Sequence, residues 1–298
     1  MDFKGKIAVI TGAGSGMGKD LALLLAADGC NLALGDVDAG SVDEVAAQCR
    51  ALDAQITVST ATVDVSDEAE VLAWRDHVTE AHATDHINLL FNNAGIGGGG
   101  SFIEHPRADW ERTFGVCWYG VYYCSRAFVP MLIASTEGHL INTSSVNGFW
   151  ASLGPTRPHT AYSAAKFAVK GFTEALTTDF AKNAPHVKAS VVMPGHISTG
   201  ITHNSTRILG HALSEDVAAL SGAFQENAPT TSAEAARIIL DGVQAGRWRI
   251  LVGEDAHIID EMVRAHPEEA YEATFVNRLH EAGAMQTLIP APPSAHID

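Results

Sequence analysis

Thr11-Gly12-Ala13-Gly14-Ser15-Gly16-Met17-Gly18 directly follows the apolar run Ile7-Ala8-Val9-Ile10 and leads into Leu21-Ala22-Leu23-Leu24-Leu25. The run before the glycines reads as a strand, Lys6–Ile10, and the one after as a helix, Met17–Asp28. Glycine lets the backbone turn sharply and come close to a bound group. A helix that opens at such a turn offers unpaired N–H groups and the positive end of its dipole. The strand–turn–helix setting makes this run a site for a pyrophosphate, which a glycine-rich run alone would not establish. A triphosphate P-loop is excluded: Ala13 stands five residues before Gly18, and Asp20 takes the place of the Ser/Thr after Lys19.

Outward from this turn, strands and helices alternate. Strands are expected at Asn31–Gly35, Ile56–Val63, Ile87–Phe91, His139–Thr143, Val187–Met193 and Trp248–Val252. Helices are expected at Ser41–Leu52, Glu68–Ala81, Arg107–Ala134, Ala161–Lys182 and Ala233–Ala245. The strands are continuous apolar runs, as in a parallel sheet covered on both faces. The pattern predicts an α/β fold: a doubly wound parallel sheet of about seven strands with helices on both faces. Residues 1–255 are expected to form this domain. Within it, residues 196–228 interrupt the alternation and read as a substrate lid or as an oligomer-contact excursion. Residues 256–298 carry two further helical patterns, Ile258–Arg264 and Glu268–Leu279. They end in the proline-rich tail Pro290-Ala291-Pro292-Pro293, expected to be flexible.

Composition narrows the function. The chain has 298 residues, 46% of them hydrophobic, with 19 Lys+Arg against 35 Asp+Glu and a net charge of −16. A strongly acidic chain is a poor partner for nucleic acid or an anionic membrane. No apolar run approaches the roughly 20 residues that span a bilayer. The N-terminus shows no signal-peptide pattern, so a cytoplasmic location is expected. The N-x-[ST] matches at Asn142 and Asn204 are then coincidental. Cys30, Cys49, Cys117 and Cys124 form no C-x-x-C pair and read as free thiols. His77, His82 and His86 do not keep one helical face and read as a solvated face and loop, so no metal is expected. No G-x-S-x-G elbow supports a serine hydrolase.

Asp36 ends the second strand. A carboxylate there accepts both adenosine ribose hydroxyls and repels a 2′-phosphate, and neither Ser15 nor Val37 supplies a compensating cation. NAD is therefore expected over NADP; the other reading of Asp36 is a helix cap. Tyr162 and Lys166 are four apart in a helix and share one face. A nearby ammonium, with a cationic nicotinamide, would favour the phenolate and let Tyr162 act as base or acid.

Six ordered segments together resemble the short-chain dehydrogenase/reductase family over roughly Lys4 to Gly253. They are Thr11–Gly18 (TGxxxGxG), Asp64-Val65, Asn92-Asn93-Ala94-Gly95 (NNAG), Ser144-Ser145-Val146-Asn147-Gly148, Tyr162…Lys166 (YxxxK) and Pro194-Gly195-His196-Ile197-Ser198-Thr199 (PGxxxT). The resemblance implies a single-domain Rossmann fold that binds cofactor through Gly12, Ser15, Gly16, Met17, Gly18, Asp36, Asp64, Val65, Asn93, Ala94, Gly95, Tyr162, Lys166, Pro194, Gly195, Ile197 and Thr199. It implies that Ser145 polarises the substrate oxygen and Tyr162 exchanges its proton. By the same resemblance, Lys166 binds the nicotinamide ribose and lowers the Tyr162 pKa. A homodimer or homotetramer is implied as well.

Two departures stand out. Cys117 occupies the place of an Asn that holds a relay water in the family, and Cys is a weak hydrogen-bonder. The segment between Ser145 and Tyr162 is longer than usual, with Phe149-Trp150 and a Pro155–Pro158 loop. Substrate contacts are expected from Ser145, Asn147, Phe149, Trp150, His159, Tyr162 and His196, with the excursion over Ile201–Phe224. Gly97–Gly100 reads equally as a mobile rim or a plain flexible loop. The expected activity is hydride transfer between NAD and a bulky, hydrophobic secondary alcohol or ketone. A cofactor-binding regulatory or scaffold protein is the alternative. An extended-branch sugar epimerase or dehydratase fits less well, because the C-terminal part is short.

Overall fold

The computed structural model describes residues 1–154 and 157–286. Pro155, Thr156 and the proline-rich tail lie outside the described residues. Seven parallel strands form the central sheet: β1 (Ile7–Thr11), β2 (Asn31–Asp36), β3 (Val58–Thr62), β4 (Leu89–Asn92), β5 (Gly138–Thr143), β6 (Val187–Pro194) and, last in the chain, β9 (Arg249–Val252). Their order across the sheet is β3-β2-β1-β4-β5-β6-β9. The register sets Ile10 beside Leu34 on one side and Phe91 on the other. Strand order reverses between β1 and β4, and in such sheets the crevice at the carboxyl ends of these strands binds ligand.

Helices cover both faces. On one lie α1 (Gly16–Ala27), α2 (Ala39–Leu52) and α9 (Ser232–Gln244), packed through Leu21, Leu25, Val45 and Ile239. On the other lie α3 (Glu68–Ala81), α5 (Gly120–Ala134) and α6 (Thr160–Asn183), packed through Trp74, Phe128 and Phe180. The expected seven-strand doubly wound sheet is the observed one. Among the described residues, no helix is long and apolar enough to cross a membrane.

Two segments depart from the expected elements, and the C-terminal extension carries the two helices expected of it. The helix expected over Arg107–Ala134 is α4 (Arg107–Phe114) and α5 joined by one wider, π-helical turn at Gly115–Tyr119. Such turns often mark functional sites, and this one carries Cys117. The excursion after β6 is itself structured, with β7 (Ile197–Ser198), α7 (Ile201–Ile208), α8 (Glu215–Glu226) and β8 (Thr230–Thr231), and β7 pairs with β8. The C-terminal extension forms α10 (Glu254–Ala265) and α11 (Ala273–Glu281). It packs on Trp150, which is fully buried against Phe275.

Candidate active site

The carboxyl ends of β1, β2 and β4 open onto a groove of about 440 Å³. Gly12, Ser15, Gly16, Met17, Asp36, Asp64, Val65, Asn93, Ala94, Gly95 and Thr199 all line it. Gly18 does not. Its backbone packs against the Gly12 carbonyl so closely that a Cβ would collide, so it seats α1 on the sheet. Thr11 ties two motifs together: its Oγ1 accepts from Asn93 N and Ala94 N, both at 2.9 Å. Ser15 makes no side-chain cap to α1, so the first amides of that helix remain for a ligand.

Asp36 Oδ2 accepts from Gly14 N at 2.9 Å, and Oδ1 from Asp38 N at 3.0 Å. These bonds fix the carboxylate in the groove, whereas the cap of α2 is Asp38, through Ser41 N. Burial acts to raise the pKa of Asp64, but hydrogen bonds from Arg112 and Ser66 prevail and hold it below the usual carboxylate range. Arg112 reaches Asp64 Oδ2 at 2.7 Å. Asn93 Oδ1 is buried and has no partner among the described residues, leaving an acceptor for a ligand hydroxyl. Close-approach glycine, uncapped helix start, fixed carboxylate and orphaned acceptor together fit a dinucleotide.

A second cavity, about 480 Å³, adjoins the groove and shares Met17, Asn93, Gly95, Thr199 and Ile201 with it. Ser145, Asn147, His159, Tyr162, Lys166, Pro194, Gly195, His196 and Ile197 line it. Lys166 is buried and its Nζ donates to Thr143 O at 2.8 Å. Nζ lies 5.3 Å from the Tyr162 ring centroid. Burial is the largest influence on both side chains, pushing the Tyr162 phenol up and the Lys166 ammonium down. The neighbouring Cys117 sulfur pushes the phenol further up, and the Ser145 hydroxyl pulls it back. The Lys166 ammonium stands beside the phenol ring, placed as the opposite charge that would favour a phenolate against that cost of burial.

Several expected substrate contacts fall elsewhere. Phe149 and Trp150 do not line the cavity. The Trp150 indole N–H donates to Ala270 O at 2.7 Å and is sealed beneath the extension, while the Arg249 guanidinium lies over the Phe149 ring. The long Ser145–Tyr162 segment folds its aromatics inward because the C-terminal helices supply an apolar floor. Asn147 does line the cavity, but its amide N–H groups are taken by Trp150 O and Ser152 O, both at 2.9 Å, so it clamps the loop. His196 N donates to the buried Asp255 Oδ2 at 2.6 Å, and its Nε2 to Phe224 O at 2.7 Å. It thus joins α10, α8 and the PGxxxT segment. Asp255 also fills the space that a Cβ on Gly195 would need.

Cys117 Sγ donates to Ile96 O at 3.2 Å and lines neither cavity. The thiol is thus tied to a backbone carbonyl, weak hydrogen-bonder though it is. The glycine run is no loose loop: Gly97 N donates to Ser205 Oγ at 2.8 Å, and a Cβ on Gly99 would sit 2.6 Å from that of Ala161. Helix α7 also reaches Ser15 Oγ through Asn204, at 3.2 Å, and Asp38 through Arg207, at 2.8 Å. His82 and His86 take unrelated partners, Ser59 and Thr84.

Arg207, Leu209 and Leu220 line the two cavities from the expected excursion over Ile201–Phe224, whereas Arg112, Leu153, Arg157 and Met285 line them without having been singled out in the sequence. No motif flags these four. They come from α4, the extra loop and the C-terminal extension, whose relation to the site is set by tertiary packing.

Fold and site thus define an α/β protein whose groove fits a dinucleotide, with Ser145, Tyr162 and Lys166 on the wall of the adjoining cavity. The short chain dehydrogenase family profile matches residues 6–208, and the chain belongs to that family of oxidoreductases. It is 40% identical to SadH of Mycobacterium tuberculosis, named as an oxidoreductase, over 88% of this chain and 91% of that one. It is 33% identical to meso-2,3-butanediol dehydrogenase of Serratia marcescens, over 81% and 95%. A short-chain dehydrogenase/reductase from Burkholderia phymatum, solved in complex with NAD, superposes with a TM-score of 0.78 at 32% identity, covering 90% of this chain and 95% of that one. A nicotinamide dinucleotide is thereby the cofactor class.

Proposed function

We propose that this protein oxidises a bulky, hydrophobic secondary alcohol with NAD, or reduces the matching ketone. One observation carries the reading: Ser145, Tyr162 and Lys166 meet on the wall of an apolar cavity that adjoins the dinucleotide groove. In this reading Asp36 takes the adenosine ribose hydroxyls, and the α1 N-terminus takes the pyrophosphate. Lys166, anchored on Thr143 O, turns its remaining N–H donors to the nicotinamide ribose. When bound, the nicotinamide accepts or gives the hydride and, oxidised, adds a positive charge beside the phenol. Ser145 holds the substrate oxygen and Tyr162 Oη exchanges its proton. The cavity wall of Leu153, Leu209, Leu220, Phe224 and Met285 receives an apolar body, and no carboxylate is among the cavity-lining residues described. The same reading includes a cytoplasmic homodimer or homotetramer.

Asp36 also supports NAD over NADP. Arg207 lies in the groove, but Asp38 already faces it, so carboxylates outnumber guanidinium at the ribose end. The test is NAD reduction, followed by absorbance, over a panel of bulky secondary alcohols, with Ser145→Ala in parallel. Turnover by the wild type that falls at least tenfold in Ser145→Ala supports the reading. Cofactor binding with no turnover on any alcohol or ketone would favour the regulatory alternative.

A further inference from the structure

Tyr162 has a polar neighbour that proton transfer does not use. His159 stands three residues earlier, where the extra loop enters α6. Its ring lies against that of Tyr162, with centroids 4.6 Å apart and planes at 35°. It lines the substrate cavity and makes no helix cap. The other two histidines of that cavity are engaged, His196 by Phe224 O and His211 by Asp109. The His159 imidazole has no hydrogen-bond partner among the described residues, and burial lowers its pKa to about 4. It is therefore neutral near pH 7, with one ring nitrogen a donor and the other an acceptor. The ring is half-buried on the cavity wall, so its donor and its acceptor can be reached by a ligand in that cavity.

We infer that His159 is a specificity-determining residue that binds a second oxygen on the substrate, one carbon from the reacting carbinol. The inference rests on the reading that Tyr162 holds the reacting oxygen. With that oxygen at the phenol, the adjacent carbon of the substrate comes within reach of the imidazole that lies against the Tyr162 ring. The remaining wall is apolar, through Leu153, Leu209, Leu220, Phe224 and Met285. The substrate class is a vicinal diol, or the corresponding α-hydroxy ketone, on an apolar body. In the oxidative direction the carbinol carbon gives a hydride to NAD and its hydroxyl gives a proton to Tyr162. The products are the α-hydroxy ketone, NADH and a proton released to solvent. The second hydroxyl is unchanged and hydrogen-bonded to His159.

The test compares kcat/KM for 1-phenylpropane-1,2-diol with that for 1-phenylpropan-1-ol and 1-phenylpropan-2-ol. The wild type is expected to prefer the diol by about 10- to 100-fold, the range of one hydrogen bond made or left unmade in a buried site. His159→Phe brings that ratio close to one, and His159→Gln, which restores a donor and an acceptor, keeps part of it. NADH fluorescence confirms that each variant is folded, and His159→Leu replaces the Phe variant if that fails to bind. A wild-type ratio near one, or a ratio that survives His159→Phe or His159→Leu, overturns the role of His159 while leaving the oxidoreductase reading intact. Failure to oxidise any of the three alcohols overturns that reading, and this inference with it.

Discussion

Replacing Asp36 by Ala should turn the protein from NAD toward NADP, and the size of the change follows from the groove. The Asp36 carboxylate is held by two backbone amides, at 2.9 and 3.0 Å, so it stays in place whatever the adenosine does. Each ribose hydroxyl bonded to it contributes about 1.5–3 kcal/mol, as hydrogen bonds to charged groups do. A 2′-phosphate brought to roughly 5 Å would instead be repelled by about 3 kcal/mol per unit charge at an effective dielectric near 20. Halving the total for solvent screening leaves about 3–4 kcal/mol, or roughly a 10²- to 10³-fold preference. The variant should lose most of it. Adding Asp38→Asn should move the balance about a further tenfold, because Arg207 then has no carboxylate at 2.8 Å and the Asn still caps α2. The assay is the Kd of NADH against NADPH by fluorescence, repeated as kcat/KM for the oxidised forms. A wild type that prefers NADP, or an Asp36→Ala ratio within threefold of wild type, would refute the reasoning.

Other consequences concern stability. Trp150→Ala should cost about 3–5 kcal/mol, since it empties a fully buried site and leaves Ala270 O without its donor. Urea midpoints read this directly, and a loss below 1 kcal/mol would mean that the extension does not pack on Trp150. His139 is buried, and burial first, then Lys188 and the N-terminal ammonium, bring its pKa to about 3. The unfolded chain binds this proton below about pH 6.5 and the folded chain only near 3, so stability falls as pH drops through that window. The contribution is about 2 kcal/mol at pH 5. His139→Asn should flatten the urea midpoint between pH 7 and 5 by that amount; an unchanged slope would show that the imidazole is protonated in the fold.

The sheet was legible because its signals are local. Apolar runs mark the strands, and the glycine loop fixes where the first of them ends. Motif residues were legible for the same reason: Gly12, Asn93, Tyr162 and Lys166 act through backbone approach or a four-residue helical spacing. Trp150 was misread, because an aromatic beside a catalytic segment looks the same whether it faces a ligand or the floor formed by Phe275, more than a hundred residues on. Asn147 does line the cavity, but the carbonyls that take its amide N–H groups are not announced by its residue type. The partner of Arg207 was not legible, since its contact with Asp38 joins α7 to the start of α2 across 169 residues of chain. Cys117 was conspicuous, but its bond to Ile96 O depends on a π-helical turn that no residue pattern announces.

The central claim is that the Tyr162 phenol moves the substrate proton beside a bound nicotinamide. Its most direct test is Tyr162→Phe, measured for NADH affinity and for kcat on the best alcohol found for the wild type. The account predicts that NADH affinity stays within a fewfold while kcat falls by about 10²- to 10⁴-fold, the range of general acid–base catalysis. A Tyr162→Phe enzyme that turns over at the wild-type rate would contradict it.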